Sequence, residues 1–315
     1  MRAAVVRRYG PPDVVEVVDV PTPRPGRDQV LVRVQAAAVS SGDARIRGAR
    51  FPRGFAVPGR LALGLTGPRR PVLGITFSGR VETVGERVTD LHPGDEVAGM
   101  SGARMGTHAE YVVVPAARAV RKPAGVSHED AAGVLFGGTT ALHYLTRRAT
   151  VTPGASVLVN GASGAVGTNA VQLARHLGAR VTAVTSGRNA ELVTGLGADR
   201  VVDHTSTDVT TLTERFDVVL DAVGNLSPAA GRPLLTGSGV LLLVVAGLWD
   251  TVTARGQVRA GPAPEKREDV ERLLSLMAGH DLRVVLDRVL PLEEIVEAYR
   301  VVDSGHKVGN VLVQP

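Results

Sequence analysis

The chain has 315 residues, of which 44% are hydrophobic and 21% charged, and these values predict a globular protein large enough for two domains. It has no cysteine, which excludes disulfides, a thiol nucleophile and cysteine-ligated zinc or iron–sulfur sites. The net charge of +5 reflects scattered arginines, and only 3% of the residues are aromatic, so the composition disfavours nucleic-acid binding. No apolar run has membrane-spanning length and no signal peptide is recognisable, so we expect a cytoplasmic protein with no membrane contact.

Short strands separated by Pro and Gly dominate residues 1–122. After the opening strand, the predicted strands are Val14–Val20, Val30–Ala38, Gly79–Val84, Glu96–Ala98 and Ala109–Val114. Residues 51–71 are rich in Pro, Gly and Arg without a clear period, which is typical of a functional or mobile loop. This part of the chain therefore predicts a β-rich domain.

Strands alternate with helices from Ser127 onwards, where an alanine-rich helix begins with acids in its first turn. The predicted strands are nearly continuous apolar runs, at Ser156–Asn160, Arg180–Thr185, Arg200–Asp203, Phe216–Val223 and Gly239–Val245. The predicted helices between them are Gly167–Leu177, Asn189–Leu196 and Ser227–Leu235. This alternation predicts a doubly wound parallel sheet, covered on both faces, over residues 123–262.

Residues 157–167 combine a buried strand, a glycine-spaced turn and the start of an amphipathic helix. Gly161, Gly164 and Gly167 would allow a sharp turn, close approach of a ligand and close packing of the helix on the strand. The helix N-terminus offers unpaired N–H groups and a partial positive charge to a phosphate. Because strand and helix are both recognisable around the glycines, we predict a diphosphate-binding turn instead of an ordinary loop.

The residues after the second strand of this sheet predict which dinucleotide binds. An acid there binds the ribose 2′-hydroxyl of NAD, but here the strand ends in Thr185, Ser186, Gly187 and Arg188. Arg188 is suited to pairing with a 2′-phosphate, supported by the Ser186 hydroxyl. The alternative is that Arg188 is only a solvated surface residue. We predict NADPH.

Small residues stand at the ends of the fourth and fifth strands, where ligands bind in open α/β sheets. Gly224 and Gly247 would let a flat ring lie close to the backbone, and they also serve packing. The remaining predicted elements are a helix at Glu265–Ala278, a strand at Val284–Val289, a helix at Leu292–Val302 and a strand at Asn310–Val313. The last strand returns most economically to the first domain, so we expect residues 263–315 to join residues 1–122, with a cleft between the domains.

These features resemble a zinc-independent member of the medium-chain dehydrogenase/reductase superfamily, in its quinone oxidoreductase-like branch. The resemblance spans nearly the whole chain and rests on the order and spacing of its motifs. They lie at residues 1–10, 81–85, 93–97, 109–112, 138–142, 160–167, 196–199, 291–294 and 305–310. The resemblance implies an α/β protein with a GroES-like β-rich catalytic domain, a Rossmann domain, NADPH, and reduction of quinones or α,β-unsaturated carbonyls.

The resemblance also implies the cofactor contacts. Besides the glycines at 161, 164, 167 and 224, they map onto Thr140, Ser163, Ala165, Val166, Ser186, Arg188, Val223, Val245, Gly247 and Asn310. His204 stands where many relatives carry a tyrosine beside the adenosine phosphate. Zinc-dependent relatives use Cys and His ligands, and this chain lacks both cysteine and a Gly-His-Glu motif, so we expect no metal site.

Two positions depart from the family pattern near the expected substrate. Ser40 replaces an asparagine that lies near the nicotinamide in relatives, and Thr76 stands where an aspartate is frequent. By location, Ser40, Ser41 and Arg45 are the candidate catalytic donors to the enolate or hydroquinone anion. In the alternative interpretation, the serines cap a turn, Arg45 is solvated, and the rate comes from holding the reactants together.

Three functions remain open at this point. The first is an NADPH-dependent quinone or enone reductase that acts on a small molecule, which we expect to be a homodimer. The second is a pathway-specific enoyl or ketone reductase acting on a natural-product intermediate, favoured by the changes at Ser40 and Thr76. The third is a non-catalytic NADPH- or RNA-binding protein.

Overall fold

The computed structural model describes residues 1–315 and divides the chain into two compact units. Unit 1 contains residues 1–51, 56–136 and 265–315, and unit 2 contains residues 52–55 and 137–264. The units divide between Phe136 and Gly137, inside one helix, whereas the sequence motifs predict a domain boundary at residues 122/123. None of the helices is long and apolar enough to cross a membrane.

The chain forms fifteen strands and nine α-helices. The strands are β1 (Arg2–Val6), β2 (Val15–Asp19), β3 (Gln29–Val39), β4 (Thr76–Val84), β5 (Glu96–Met100), β6 (Tyr111–Pro115), β7 (Ala119–Arg121), β8 (Ser156–Asn160), β9 (Arg180–Thr185), β10 (Arg200–Asp203), β11 (Phe216–Asp221), β12 (Leu235–Leu243), β13 (Val258–Ala260), β14 (Leu286–Pro291) and β15 (Asn310–Gln314). The helices are α1 (Ser41–Arg47), α2 (Ala56–Leu63), α3 (His128–His143), α4 (Ala165–His176), α5 (Ala190–Gly195), α6 (Pro228–Gly231), α7 (Leu248–Thr253), α8 (Arg267–Ala278) and α9 (Ile295–Asp303).

Unit 1 is organised around the long strand β3, which pairs antiparallel with β4, β6 and β15. The sheet runs β14-β15-β3-β4-β5-β7, and β1 pairs with β2 in a separate antiparallel pair. Because alternate side chains of a strand point to opposite faces, Val32 and Val34 enter the core while Arg33 is exposed. Tyr299 on α9 joins the same core. The predicted GroES-like β-rich fold is confirmed.

Unit 2 is a six-stranded parallel sheet in the order β10-β9-β8-β11-β12-β13. Counted from β8, this order is 3-2-1-4-5-6, that of the dinucleotide-binding Rossmann fold, which confirms the predicted fold class. The first three strands have the predicted bounds. The strand order reverses between β8 and β11, and ligands of such sheets bind beyond the carboxyl ends of the strands at this point.

The loop expected at residues 51–71 contains the helix α2, which no hydrophobic period reveals because none of its residues is buried. Pro58 lies in its first turn, where the missing N–H costs no intrahelical bond. Hydrogen bonds fix the segment to β1 and to the residues after it, since the Val6 N–H donates to Pro71 O at 2.8 Å and the Tyr9 hydroxyl donates to Gly64 O at 2.7 Å. Residues 56–71 are therefore part of unit 1, whereas residues 52–55 belong to unit 2.

Two predicted bounds in unit 2 are wrong for local reasons. The helix expected at Ser227–Leu235 is only α6 and a 3-10 turn, Arg232–Leu234, because Pro233 cannot donate a helical hydrogen bond. The fourth strand ends at Asp221 and not at Val223, because the Asp221 carboxylate turns the following backbone back on itself.

Candidate nucleotide and substrate sites

The glycines of the turn between β8 and α4 serve different purposes. Gly161 has a φ of +80°, which L side chains rarely adopt. A Cβ atom on Gly167 would overlap the carbonyl oxygen of Gly161, so this glycine is needed to pack α4 on the turn. A Cβ on Gly164 would meet nothing within 3.4 Å; its nearest neighbour is Gly161 O at 3.5 Å. The fold requires glycine at 161 and 167, whereas Gly164 leaves space that a ligand can fill.

The N-terminus of α4 opens onto that space. Its first intrahelical hydrogen bond runs from Thr168 N–H to Gly164 O at 2.9 Å, which leaves the N–H groups of Ala165, Val166 and Gly167 without an intrahelical acceptor. No side chain caps this end of the twelve-residue helix. Backbone N–H groups and the helix dipole therefore face the turn, and this arrangement fits a diphosphate.

Hydrogen bonds connect the turn to the end of β9, where the 2′-phosphate is expected. The Thr185 hydroxyl donates to Ser163 Oγ at 2.9 Å, and Asn189 Nδ2 donates to Ser186 Oγ at 3.1 Å. Arg188 is exposed and forms no hydrogen bond or ion pair. A free guanidinium thus lies two residues beyond Ser186.

The end of β10 lies beside the end of β9 in the sheet. His204 follows β10, and its N–H donates to Thr185 O at 3.0 Å. Hydrogen bonds from Thr205, and then from the Gly187 N–H, lower the pKa of the Asp203 carboxyl. Asp203 was not predicted as a site residue, although it shapes the turn that carries Arg188.

The ends of β11 and β12 also lie close to the glycine turn. Val223 packs on Gly161, since a Cβ on that glycine would lie 2.6 Å from Val223 Cγ2. Val245 packs on Gly224 in the same way, at 3.0 Å from a Cβ placed there. Gly247 precedes α7 as its N-cap residue. The structure thus brings these predicted residues of unit 2 to one edge of the sheet.

Two other predicted cofactor residues lie outside this group. Thr140 is half-buried in α3, within unit 2. Asn310 begins β15 in unit 1, where its Nδ2 donates to Val285 O at 3.2 Å. The roles predicted for them stay predictions.

On the candidate substrate side, Ser40 is the N-cap of α1. Its hydroxyl accepts from the Asp43 N–H at 3.2 Å and donates to Asp43 Oδ2 at 2.6 Å, while the Ser40 N–H donates to the same oxygen at 2.8 Å. Ser40 and Asp43 are both buried. The hydroxyl hydrogen of Ser40 is therefore used by the capping box, as in the alternative interpretation of this residue.

Ser41 and Arg45 lie one helical turn apart on α1 and so share a face. Arg45 is half-buried, and its guanidinium forms no hydrogen bond or ion pair. Burial, together with the like charge of Arg50, lowers the pKa of its guanidinium. Such an unpaired, partly desolvated cation is suited to binding a negatively charged group of a ligand.

Thr76, the other position that departs from the family pattern, is buried, and its Oγ1 accepts from the Ala38 N–H at 3.4 Å.

Comparison with known proteins gives matches along the chain. Residues 26–124 match the family Alcohol dehydrogenase GroES-like domain, and residues 196–313 match the family Zinc-binding dehydrogenase. The whole chain is 30% identical to a chloroplastic NADPH-dependent alkenal/one oxidoreductase of Arabidopsis thaliana, covering 80% of that protein. A trans-enoyl reductase of Aspergillus terreus is 33% identical over 92% of this chain and 87% of its own length. The quinone oxidoreductase structure from Coxiella burnetii has a TM-score of 0.89 at 29% identity, covering 100% of this chain and 99% of its own.

The zinc implied by one of these family names does not fit the residues present. The chain has no cysteine, and no group of three or more His, Asp or Glu side chains is placed to hold a metal ion. The donor set of a catalytic zinc site is three such ligands with an open fourth position.

Proposed function

The chain belongs to the medium-chain dehydrogenase/reductase superfamily, in its quinone oxidoreductase-like branch, and we propose that it is an NADPH-dependent reductase that acts on a quinone or an α,β-unsaturated carbonyl. The preference for NADPH is carried by one observation. Arg188, free of any partner, follows the strand end where an acid would select NAD.

Each part of the dinucleotide has a proposed partner. The N–H groups at the start of α4 bind the diphosphate in the space beside Gly164. Arg188 and Ser186 bind the 2′-phosphate through charge-assisted hydrogen bonds. Gly224 and Val245 border the ring that carries the hydride. NADPH, when bound, supplies a hydride from C4 of its nicotinamide.

On the substrate side, we propose that Ser41 and Arg45 donate to the oxygen that becomes negative as the substrate accepts hydride. Ser40 supports them by capping α1, since its own hydrogen is donated to Asp43. Direct donation by Ser40 to the substrate, as predicted from the sequence, requires its 2.6 Å bond to Asp43 to break. The proton that completes the reaction comes from solvent, and no step involves a metal.

The test is NADPH and NADH oxidation measured against a panel of quinones, enones and ketones, with and without a chelator. We expect turnover of quinones or enones, a preference for NADPH and no effect of the chelator. Tight NADPH binding without turnover of any acceptor would favour the non-catalytic function. We further propose a cytoplasmic homodimer, which sedimentation and cell fractionation would test.

A pathway-specific enoyl reductase is the second candidate. It is favoured by the trans-enoyl reductase relative at 33% identity, and by the presence of Ser40 and Thr76 at two positions where the branch commonly has other residues. Reduction confined to one class of enoyl or ketone intermediate, with negligible activity on simple quinones, would select this function.

A further inference from the structure

One buried carboxylate organises the whole loop that follows β11, residues 222–226. Asp221 is completely buried, and its Oδ1 accepts the N–H groups of Val223 and Gly224, each at 3.0 Å. Its Oδ2 accepts the N–H group of Leu226, also at 3.0 Å. Three backbone donors of one loop thus converge on a single side chain, which sets the path of the loop.

A fourth donor connects this loop to the glycine turn. Asn160 is the last residue of β8, directly before Gly161, and is buried. Its Nδ2 donates to Asp221 Oδ1 at 3.0 Å and to Asn225 Oδ1 at 2.6 Å. One amide therefore joins the carboxylate and the exposed end of the loop to the strand that leads into the diphosphate-binding turn.

The clamp formed by Asn160, Asp221 and Asn225 holds an apolar side chain that is partly exposed to solvent. Val223 is 50% exposed, yet it packs on Gly161. Gly224 has a φ of +90° and packs on Val245. The loop therefore presents an uncovered apolar surface at the edge of the sheet where the dinucleotide is proposed to bind.

We propose that this clamp is a positioning device for the dinucleotide, which holds Val223 and Gly224 in the shape that the bound cofactor requires. The inference rests on the proposed function. The clamp does not contact the 2′-phosphate residues Ser186 and Arg188, so it affects NADPH and NADH equally. Loosening the clamp weakens the binding of both dinucleotides and leaves the ratio of their Kd values unchanged.

The test compares Asp221→Asn with Asp217→Asn, a matched change at the other end of β11. Asp217 accepts three hydrogen bonds, compared with four at Asp221: two come from Ser156 at 2.8 and 2.9 Å and one from Thr236 at 3.0 Å. The Kd values for NADPH and NADH are measured by calorimetry, together with the urea midpoint. For Asp221→Asn we expect both Kd values to rise roughly 10- to 100-fold, the scale for residues that support a bound site, with their ratio unchanged. For Asp217→Asn we expect both Kd values within about twofold of the wild type.

Equal losses of affinity in the two variants would mean that Asp221 only stabilises β11 and would overturn the proposal. If Asp221→Asn does not fold, Asn225→Ala removes the clamp at the surface. It should raise both Kd values roughly 3- to 10-fold with the urea midpoint unchanged, and unchanged Kd values would reject the clamp. A wild-type protein that binds neither dinucleotide would instead reject the proposed function, and the clamp with it.

Discussion

The turn from β8 into α4 and the turn from β3 into α1 are both short links between a strand and a helix, yet their polar groups are used in opposite ways. At α1, Ser40 and Asp43 satisfy each other in a capping box. At α4, Gly164 is the N-cap and no side chain satisfies the helix N–H groups. With glycine at the N-cap, α4 gives up a capping interaction of roughly 0.3 kcal/mol, and its unpaired N–H groups stay available to a ligand.

The largest effect is expected from giving α4 a cap of its own. In Gly164→Asp, the new carboxylate accepts helix N–H groups and repels the diphosphate, so we expect the Kd for NADPH to rise more than about 100-fold. Stability should rise by a few tenths, roughly 0.3 kcal/mol, because the backbone at Gly164 suits any residue. Calorimetry and urea unfolding measure the two effects. Gly164→Ala is the uncharged control. Unaltered NADPH binding by Gly164→Asp would show that the diphosphate does not bind at this turn.

The next effect separates the two phosphate sites along the same sheet edge. We expect Arg188→Ala to raise the KM for NADPH about 10- to 100-fold and to leave the KM for NADH within about twofold, because only NADPH loses a charge-assisted pair. Arg200→Ala is the control, since Arg200 is an exposed arginine at the start of β10 that pairs with Glu214. Equal effects on the two dinucleotides would show that Arg188 does not bind the 2′-phosphate.

On α1, the guanidinium of Arg45 has no partner, whereas the hydroxyl of Ser40 is hydrogen-bonded to Asp43. We expect Arg45→Met to lower kcat/KM for quinones or enones roughly 10-fold, because a donor to the developing anion is lost. Stability should not fall, because the guanidinium of the half-buried Arg45 has no partner in the folded protein. Steady-state kinetics with Arg33→Met, on the exposed face of β3, provides the control. Arg45 would have no role in the reaction if the two variants had the same kcat/KM.

Local sequence patterns predicted the parts of the fold and site that are contiguous in the chain. β8, β9 and β10 have their predicted bounds because each is an apolar run that ends in turn residues. The helix α2 was not predicted because it buries no apolar face; Val57, for example, is 70% exposed.

The clamp could not be predicted from a local pattern, because Asn160 and Asp221 are 61 residues apart. They meet because β8 and β11 pair in parallel with these two residues in register. The available signal was a polar residue at the end of each apolar strand, combined with the strand order of the fold. The capping role of Ser40 was likewise only an alternative at the level of sequence. A local pattern does not show which hydrogen-bond partner its hydroxyl takes.

The smallest effect on turnover is expected at Ser40, where the comparison of the two turns predicts a loss of stability instead of a loss of chemistry. Ser40→Ala removes the cap of α1 and one hydrogen bond to the buried Asp43, so we expect a loss of about 1–2 kcal/mol in urea unfolding. Turnover per folded molecule should change less than about threefold. Ser40→Asn restores the stability, since asparagine is an equally good cap, and Ser41→Ala leaves it unchanged within about 0.5 kcal/mol. If Ser40→Ala instead loses turnover at full stability, its hydroxyl acts on the substrate, and the capped turn belongs to the catalytic site as directly as the open one belongs to the cofactor.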